Sequence, residues 1–98
     1  MAKKIIWTRK ANLERKEILE YWINRNKSKN FSIKLNKLIV ETLRNISLNP
    51  NIGRNSDIEN VKIKIIRDYL LFYEVHVDEI VVLCIWDGRR NPDKLKIK

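Results

Sequence analysis

The stretch Tyr69–Leu95, YLLFYEVHVDEIVVLCIWDGRRNPDKL, carries the longest apolar runs in the chain. Ile80 to Trp86 is apolar at every position, which predicts a central strand covered on both faces. Leu70 to Val77 predicts the strand before it, with Tyr73, Val75 and Val77 on one face and Phe72, Glu74 and His76 on the other. His76-Val77-Asp78-Glu79 is the expected reversal between them. The run ends in a charged cluster, Asp87-Gly88-Arg89-Arg90-Asn91-Pro92. The tail beyond Pro92 is basic.

Upstream, Val61, Ile63 and Ile65 alternate with Lys62 and Lys64, which predicts a strand whose lysines form its wet face. Ile66 and Arg67 break the alternation, and Arg67-Asp68 is the expected turn. Asn49 to Asp57 contains Pro50 and Gly53 and reads as a loop. Before it the period changes. Phe31, Leu35, Leu38, Ile39, Thr42, Leu43 and Ile46 repeat at spacings of three and four, the pattern of an amphipathic helix stopped near Leu48 by Asn49-Pro50. Ser28 or Asn30 is its expected cap. Ala11, Ile18, Tyr21 and Trp22, widened by Leu19 and Ile23, predict an earlier helix capped by Thr8 or Asn12. Lys4 to Thr8 reads as a first strand.

The order is therefore β-α-α-β-β-β, an α+β class in which a helical hairpin packs on one face of a small antiparallel sheet. Two helices cover one face only, and Leu95 and Ile97 are a thin cover for the other. The expectation is an open apolar groove that a partner helix or strand fills.

Ninety-eight residues imply one domain, residues 1–98. Charged residues at 34% and apolar residues at 44% fit a soluble folded chain. No run is long enough to span a bilayer, and MAKKIIWTRK lacks a cleavage site, so a cytoplasmic location is expected. One cysteine and one histidine exclude an internal disulfide and argue against a zinc site; no metal and no cofactor are expected. The net charge of +9 points to acidic partners. Residues 74–88 nevertheless hold four acids and no Lys or Arg, so the molecule is polarised.

The element order, the loop Asn49-Pro50-Asn51-Ile52-Gly53-Arg54, the strand Tyr69-Leu70-Leu71-Phe72-Tyr73 and the end Ile85-Trp86-Asp87-Gly88-Arg89-Arg90-Asn91-Pro92 together resemble the RelE/ParE superfamily, toxins of type II toxin–antitoxin modules. The resemblance implies a small basic toxin held inactive by a cognate antitoxin encoded beside it. RelE-like members act at the ribosome and cut mRNA; ParE-like members inhibit DNA gyrase without nuclease chemistry. On the RelE-like pattern, Lys62 and Lys64 match two strand lysines, Arg90 matches an arginine after the last strand, and Gly88 matches the glycine before it. Leu70 and Lys96 stand where that pattern has arginine and tyrosine, and Arg67 lies near the first gap.

Metal-independent RNA cleavage needs a base, an acid and cations around the phosphorane. Lys62, Lys64, Arg67 and Arg90 are the candidate catalytic residues of a ribosome-dependent endoribonuclease. Arg89, Arg54, Trp86 and Lys94 are candidate contacts to nucleic acid or target. For each the plain alternative stands beside the functional one. Lys62 and Lys64 are also the solvent face of a strand, and Arg89-Arg90 can pair with Asp87 or Asp93 to fix a turn. His76 stands near a turn with no titratable partner in view, and Cys84 reads as a small buried apolar residue. The alternative functions are a gyrase inhibitor without catalysis, which the departures at Leu70 and Lys96 favour, and a degenerate toxin that only binds its antitoxin.

Overall fold

A computed structural model describes residues 2–90 of the chain. The expectations for Pro92 onward, including Lys94, Leu95, Lys96 and Ile97, lie outside the described residues. The elements are β1 (Lys4–Trp7), α1 (Arg9–Asn26), α2 (Asn30–Leu48), a 3₁₀ turn (Pro50–Ile52), β2 (Arg54–Asn55), β3 (Val61–Ile66), β4 (Tyr69–Val75) and β5 (Glu79–Asp87). Two helices pack on a five-stranded sheet of order β1-β5-β4-β3-β2. The α+β order expected from the pattern is present, with two additions. The loop after α2 contributes the two-residue edge strand β2, antiparallel to β3. The sheet is also not wholly antiparallel, because β1 runs parallel to β5, with Lys4 opposite Glu79 and Trp7 opposite Val82.

Local chemistry sets the element ends. The Thr8 side-chain oxygen accepts from the Ala11 N–H at 3.1 Å and caps α1. The same hydroxyl donates to the Val82 carbonyl at 2.9 Å, so the cap also ties the helix start to β5. α1 ends at Lys27, whose φ of 54° is left-handed. Neither Ser28 nor Asn30 caps α2. That position falls to Lys29, which makes no side-chain cap bond, while Ser28 Oγ accepts from the Asn30 N–H. The Ser32 hydroxyl donates to the Leu19 carbonyl at 2.6 Å and fastens the helical hairpin. Among the described residues no helix is long and apolar enough to cross a membrane.

Arg67-Asp68 closes the β3–β4 hairpin, with Ile66 opposite Tyr69 and φ of 54° at Arg67. The β4–β5 reversal is closed by the His76 N–H donating to the Glu79 carbonyl at 2.9 Å. The register of that pair shifts at Phe72/Tyr73. Phe72 faces Cys84 and Tyr73 faces Val82, which leaves Leu83 as the extra residue.

The helix-side core gathers Leu35, Ile39, Leu43 and Ile46 of α2 with Leu71 and Tyr73 of β4 and Ile80, Val82 and Ile85 of β5. Cross-strand partners share a face, so pairing with Tyr73 and Leu71 puts Lys62 and Lys64 on this helix side. The lysine face of β3 is thus the helix side, while Val61 and Ile63 of the other face belong to the cluster on the opposite side of the sheet. β3 lies towards the sheet edge, where the helices give only partial cover, and lysine stems can lie along apolar surface with their heads in water. Both lysines are half-buried.

On the opposite face Val61, Phe72, Leu83, Cys84 and Trp86 form a second buried cluster. All five are buried, so among the described residues this cluster is not the open groove expected on that face. Ile58, Ile63, Leu70 and Val81 pack against them half-buried, and Ile65 is the exposed exception at 55%. Burial pushes the Cys84 thiol up to about 11, as fits an inert core residue.

Candidate functional site

The end of β5 meets the β3–β4 turn at one rim of the sheet. The Gly88 N–H donates to the Asp68 carbonyl at 2.8 Å, and the Arg90 N–H donates to the Asp87 carbonyl at 3.0 Å. A Cβ at Gly88 would stand 3.0 Å from the Asp68 oxygen, which explains why a residue without one occupies this crossing. These contacts fix the backbone from which Arg89 and Arg90 project.

The two arginines have different surroundings. Arg89 folds back on Asp87: its Nε and a terminal nitrogen donate to the two carboxylate oxygens at 3.1 and 3.0 Å, and its backbone N–H adds a bond of 2.9 Å. These bonds hold the Asp87 carboxyl below its ordinary range. Arg90 lies over the Trp86 ring, 4.8 Å from its centroid. Trp86 itself is only 8% exposed, in the second cluster, so its ring is a support for Arg90 rather than a bare stacking surface.

Beside this rim, α1 and the ends of β4 and β5 enclose a cleft of about 290 Å³. Glu14, Glu17 and Tyr21 form its helix wall, Tyr69 stands on the sheet side, and Arg89 and Arg90 stand at its mouth. Glu14 is anchored twice. Its Oε1 accepts from the Ile85 N–H at 3.1 Å, and its Oε2 pairs with Lys10 at 2.9 Å. β1 ends at Trp7, so it no longer pairs with β5 at Ile85, and the carboxylate takes the place of a strand there. The Tyr69 hydroxyl accepts from Trp22 Nε1 at 2.8 Å. Desolvation pushes this phenol above its ordinary value, against the lowering effect of the Trp22 bond.

The remaining sequence candidates are spread out. Lys62 Nζ donates to Asn55 Oδ1 at 2.6 Å. Lys64 makes no hydrogen bond or ion pair among the described residues. Arg67 lies over Phe31, 5.8 Å from the ring centroid, on the helix side. Arg54 is exposed on β2 opposite Ile63, and so on the other face from Lys62 and Lys64. His76 has a partner after all, Glu74 Oε1 at 2.8 Å, but it stands at the opposite end of β4 from the arginines. Among the described residues no group of His, Cys, Asp and Glu could hold a metal ion.

The rim therefore presents fixed cations and anchored carboxylates around an amphipathic cleft. Such a surface suits the mixed polar side chains of a protein. Among the described residues the sequence's candidate base, acid and cations do not meet at this rim. Glu14, Glu17 and Tyr21 are cleft residues that the sequence reading missed as a site. A signal was present: Glu14 stands three residues after Ala11 and four before Ile18 on the α1 stripe, a carboxylate on the sheet-facing side.

A family model described as ParE toxin of type II toxin-antitoxin system, parDE, matches residues 5–92. Among solved structures, one from the chromosomal ParDE TA system of P. aeruginosa superposes with a TM-score of 0.74 at 22% identity, covering 88% of this chain and 96% of the other. Curated proteins give no significant match.

Proposed function

Because the chain belongs to the ParE toxin family of type II toxin–antitoxin systems, we propose that it arrests growth by binding DNA gyrase, without chemistry of its own, and that a cognate antitoxin holds it inactive. The observation that carries this reading is the dispersal of its cations. Lys62 is bonded to Asn55, Arg89 to Asp87, and Arg67 and Arg90 lean on rings in different clusters. A ribonuclease needs such groups around one scissile phosphate, whereas an inhibitor needs only a rigid, complementary surface. The ribosome-dependent mRNA cleavage implied by the RelE-like match at Lys62, Lys64, Arg67 and Arg90 finds less support.

The gyrase-facing surface in this reading is the rim of Arg89 and Arg90 with the cleft beside it. Supercoiling by purified gyrase is expected to fall when the protein is added, while mRNA in a translating extract stays intact. The opposite pair of results would restore the ribonuclease. In cells expressing the chain alone, incorporation of label into DNA should fall before incorporation into protein. Replacing Arg89 and Arg90 together by Ala is expected to weaken gyrase inhibition at least tenfold without unfolding the chain. Full inhibition by that variant, with an unchanged melting temperature, removes the rim from the site.

A further inference from the structure

β5 runs for nine residues, Glu79–Asp87, but β1 pairs only with Glu79–Val82. The lane beside the end of β5 is thus left to α1, and the cleft lined by Ile85 and Asp87 lies in it. Backbone groups alternate sides along a strand. The Gly88 N–H reaches the Asp68 carbonyl on the β4 side, while the Ile85 N–H reaches Glu14 on the α1 side. Ile85 and Asp87 therefore turn their backbone groups into the cleft. Two of these four groups are taken. The Ile85 N–H donates to Glu14 Oε1 at 3.1 Å, and the Asp87 carbonyl accepts from the Arg90 N–H at 3.0 Å. The Ile85 carbonyl and the Asp87 N–H have no partner among the described residues.

The free pair is selective for direction. An antiparallel strand exchanges both bonds with a single residue, and neither Ile85 nor Asp87 keeps both of its groups. A parallel strand instead sets one residue between a carbonyl and the N–H two positions on. β1 does this at the other end of β5: Lys4 stands opposite Glu79, and its N–H donates to the Asp78 carbonyl. The Ile85 carbonyl and the Asp87 N–H repeat that arrangement around Trp86. The neighbours of a residue opposite Trp86 would share the face of Ile85, which is the helix side. There α1 presents Glu17, exposed and without an ion pair among the described residues, and Tyr21, half of whose surface is exposed. Glu14 on the same wall is already neutralised by Lys10. In a chain of net charge +9, this wall is the place where a carboxylate is left to meet a cation.

We propose that an extended segment of gyrase binds in this lane, running parallel to β5, with one residue opposite Trp86 and a Lys or Arg next to it in sequence. The proposal rests on the gyrase reading above and names how that target is held. The central residue gives its N–H to the Ile85 carbonyl and takes the Asp87 N–H on its own carbonyl. The basic side chain beside it lays its stem along Tyr21 and brings its charge to Glu17. A helix spends its backbone groups on itself, so the lane selects an extended chain.

The test uses the full chain with purified gyrase. In the free chain the Asp87 amide should exchange hydrogen at least tenfold faster than those of Ile85 and Gly88, and gyrase should slow it at least tenfold. Glu17→Lys should weaken inhibition of supercoiling at least tenfold. Glu41→Lys, the same charge change at an exposed position of α2, should leave it within twofold, with the melting temperature of both variants unchanged. Unchanged exchange at Asp87 while gyrase is inhibited overturns the proposal and leaves the gyrase reading standing, as does full inhibition by Glu17→Lys. Slow exchange at Asp87 in the free chain means that the lane is already filled, and also overturns it. Failure of the unsubstituted chain to inhibit gyrase is the separate result that sinks the gyrase reading itself.

Discussion

A methyl group added at Gly53 would overlap the Tyr73 hydroxyl and stand 2.9 Å from the Ile63 carbonyl oxygen. The clash matters because that hydroxyl has two duties. It accepts from the Gly53 N–H at 3.0 Å and donates to the Pro50 carbonyl at 2.8 Å, and so pins the loop after α2 to a fully buried tyrosine. Gly53→Ala is expected to destabilise the fold by about 1–3 kcal/mol, as overpacking of a closed site does, and urea unfolding measures it. Lys27 presents the reverse case. Its left-handed φ of 54° closes α1 with a side chain that this conformation disfavours. Lys27→Gly should raise stability by about 1 kcal/mol, visible as a higher melting temperature. The proline and glycine of the loop were legible as a break in structure, but the hydroxyl that holds them was not. Tyr73 reads equally well as a plain core aromatic, and nothing local links it to a residue 20 positions earlier.

At the scale of elements, Thr8 joins three of them. Its oxygen caps α1 while its hydrogen is given to β5, just where β1 ends. Thr8→Val keeps the shape and removes both bonds, and a loss of about 1–2 kcal/mol is expected. Thr8→Ser should recover most of it, which separates the hydrogen bonds from packing. The helices, the Thr8 start of α1, the stop of α2 near Leu48 and the Arg67-Asp68 turn were legible because periodicity and turn chemistry are local signals, whereas the start of α2 falls at Lys29 without a side-chain cap bond and leaves no such signal. The faces of β3 were not legible either. Alternation divides Val61 to Ile65 into two sets but cannot say which set meets the helices, and lysines at a thinly covered edge confuse hydrophobicity as a guide. The extra residue Leu83 was hidden for a related reason: in a run apolar at every position, a one-residue shift of register leaves no mark. In the candidate site, the Asp87–Arg89 pair was legible from proximity in sequence. Glu14 was not singled out, because its partner is a backbone N–H 71 residues away.

For the whole molecule, three buried groups set its response to pH. Burial raises Cys84 to about 11 and raises Tyr69 and Tyr73 above their ordinary 10. Each is neutral in the fold and ionises more easily in the unfolded chain. Stability should therefore be full below about pH 9 and fall as pH rises through 9 to 11 and beyond. Chemical unfolding midpoints at pH 7, 9 and 10.5 check the trend, and Cys84→Ala should flatten its first part. Asp87 works at the other end. Its carboxyl is held low by Arg89, so its small contribution is present above the ordinary carboxylate value and vanishes only as acid protonates the folded form. The parallel pairing of first and last described strands was invisible in the sequence, since any of several strands could flank a fully apolar one.

That pairing also sets a timetable. β1 and α1 leave the ribosome well before β5, yet β1 finds its partner only in Glu79–Val82, and α1 anchors its carboxylate on Ile85. The strand that links β1 and α1 to the rest of the sheet is made after every other described element, so the growing chain cannot close its core until β5 has been synthesised. A polypeptide cut short before β5 loses the seat of both helix and strand at once. Premature stop codons anywhere ahead of β5 should therefore yield harmless fragments, and cells escaping growth arrest should carry them throughout that stretch.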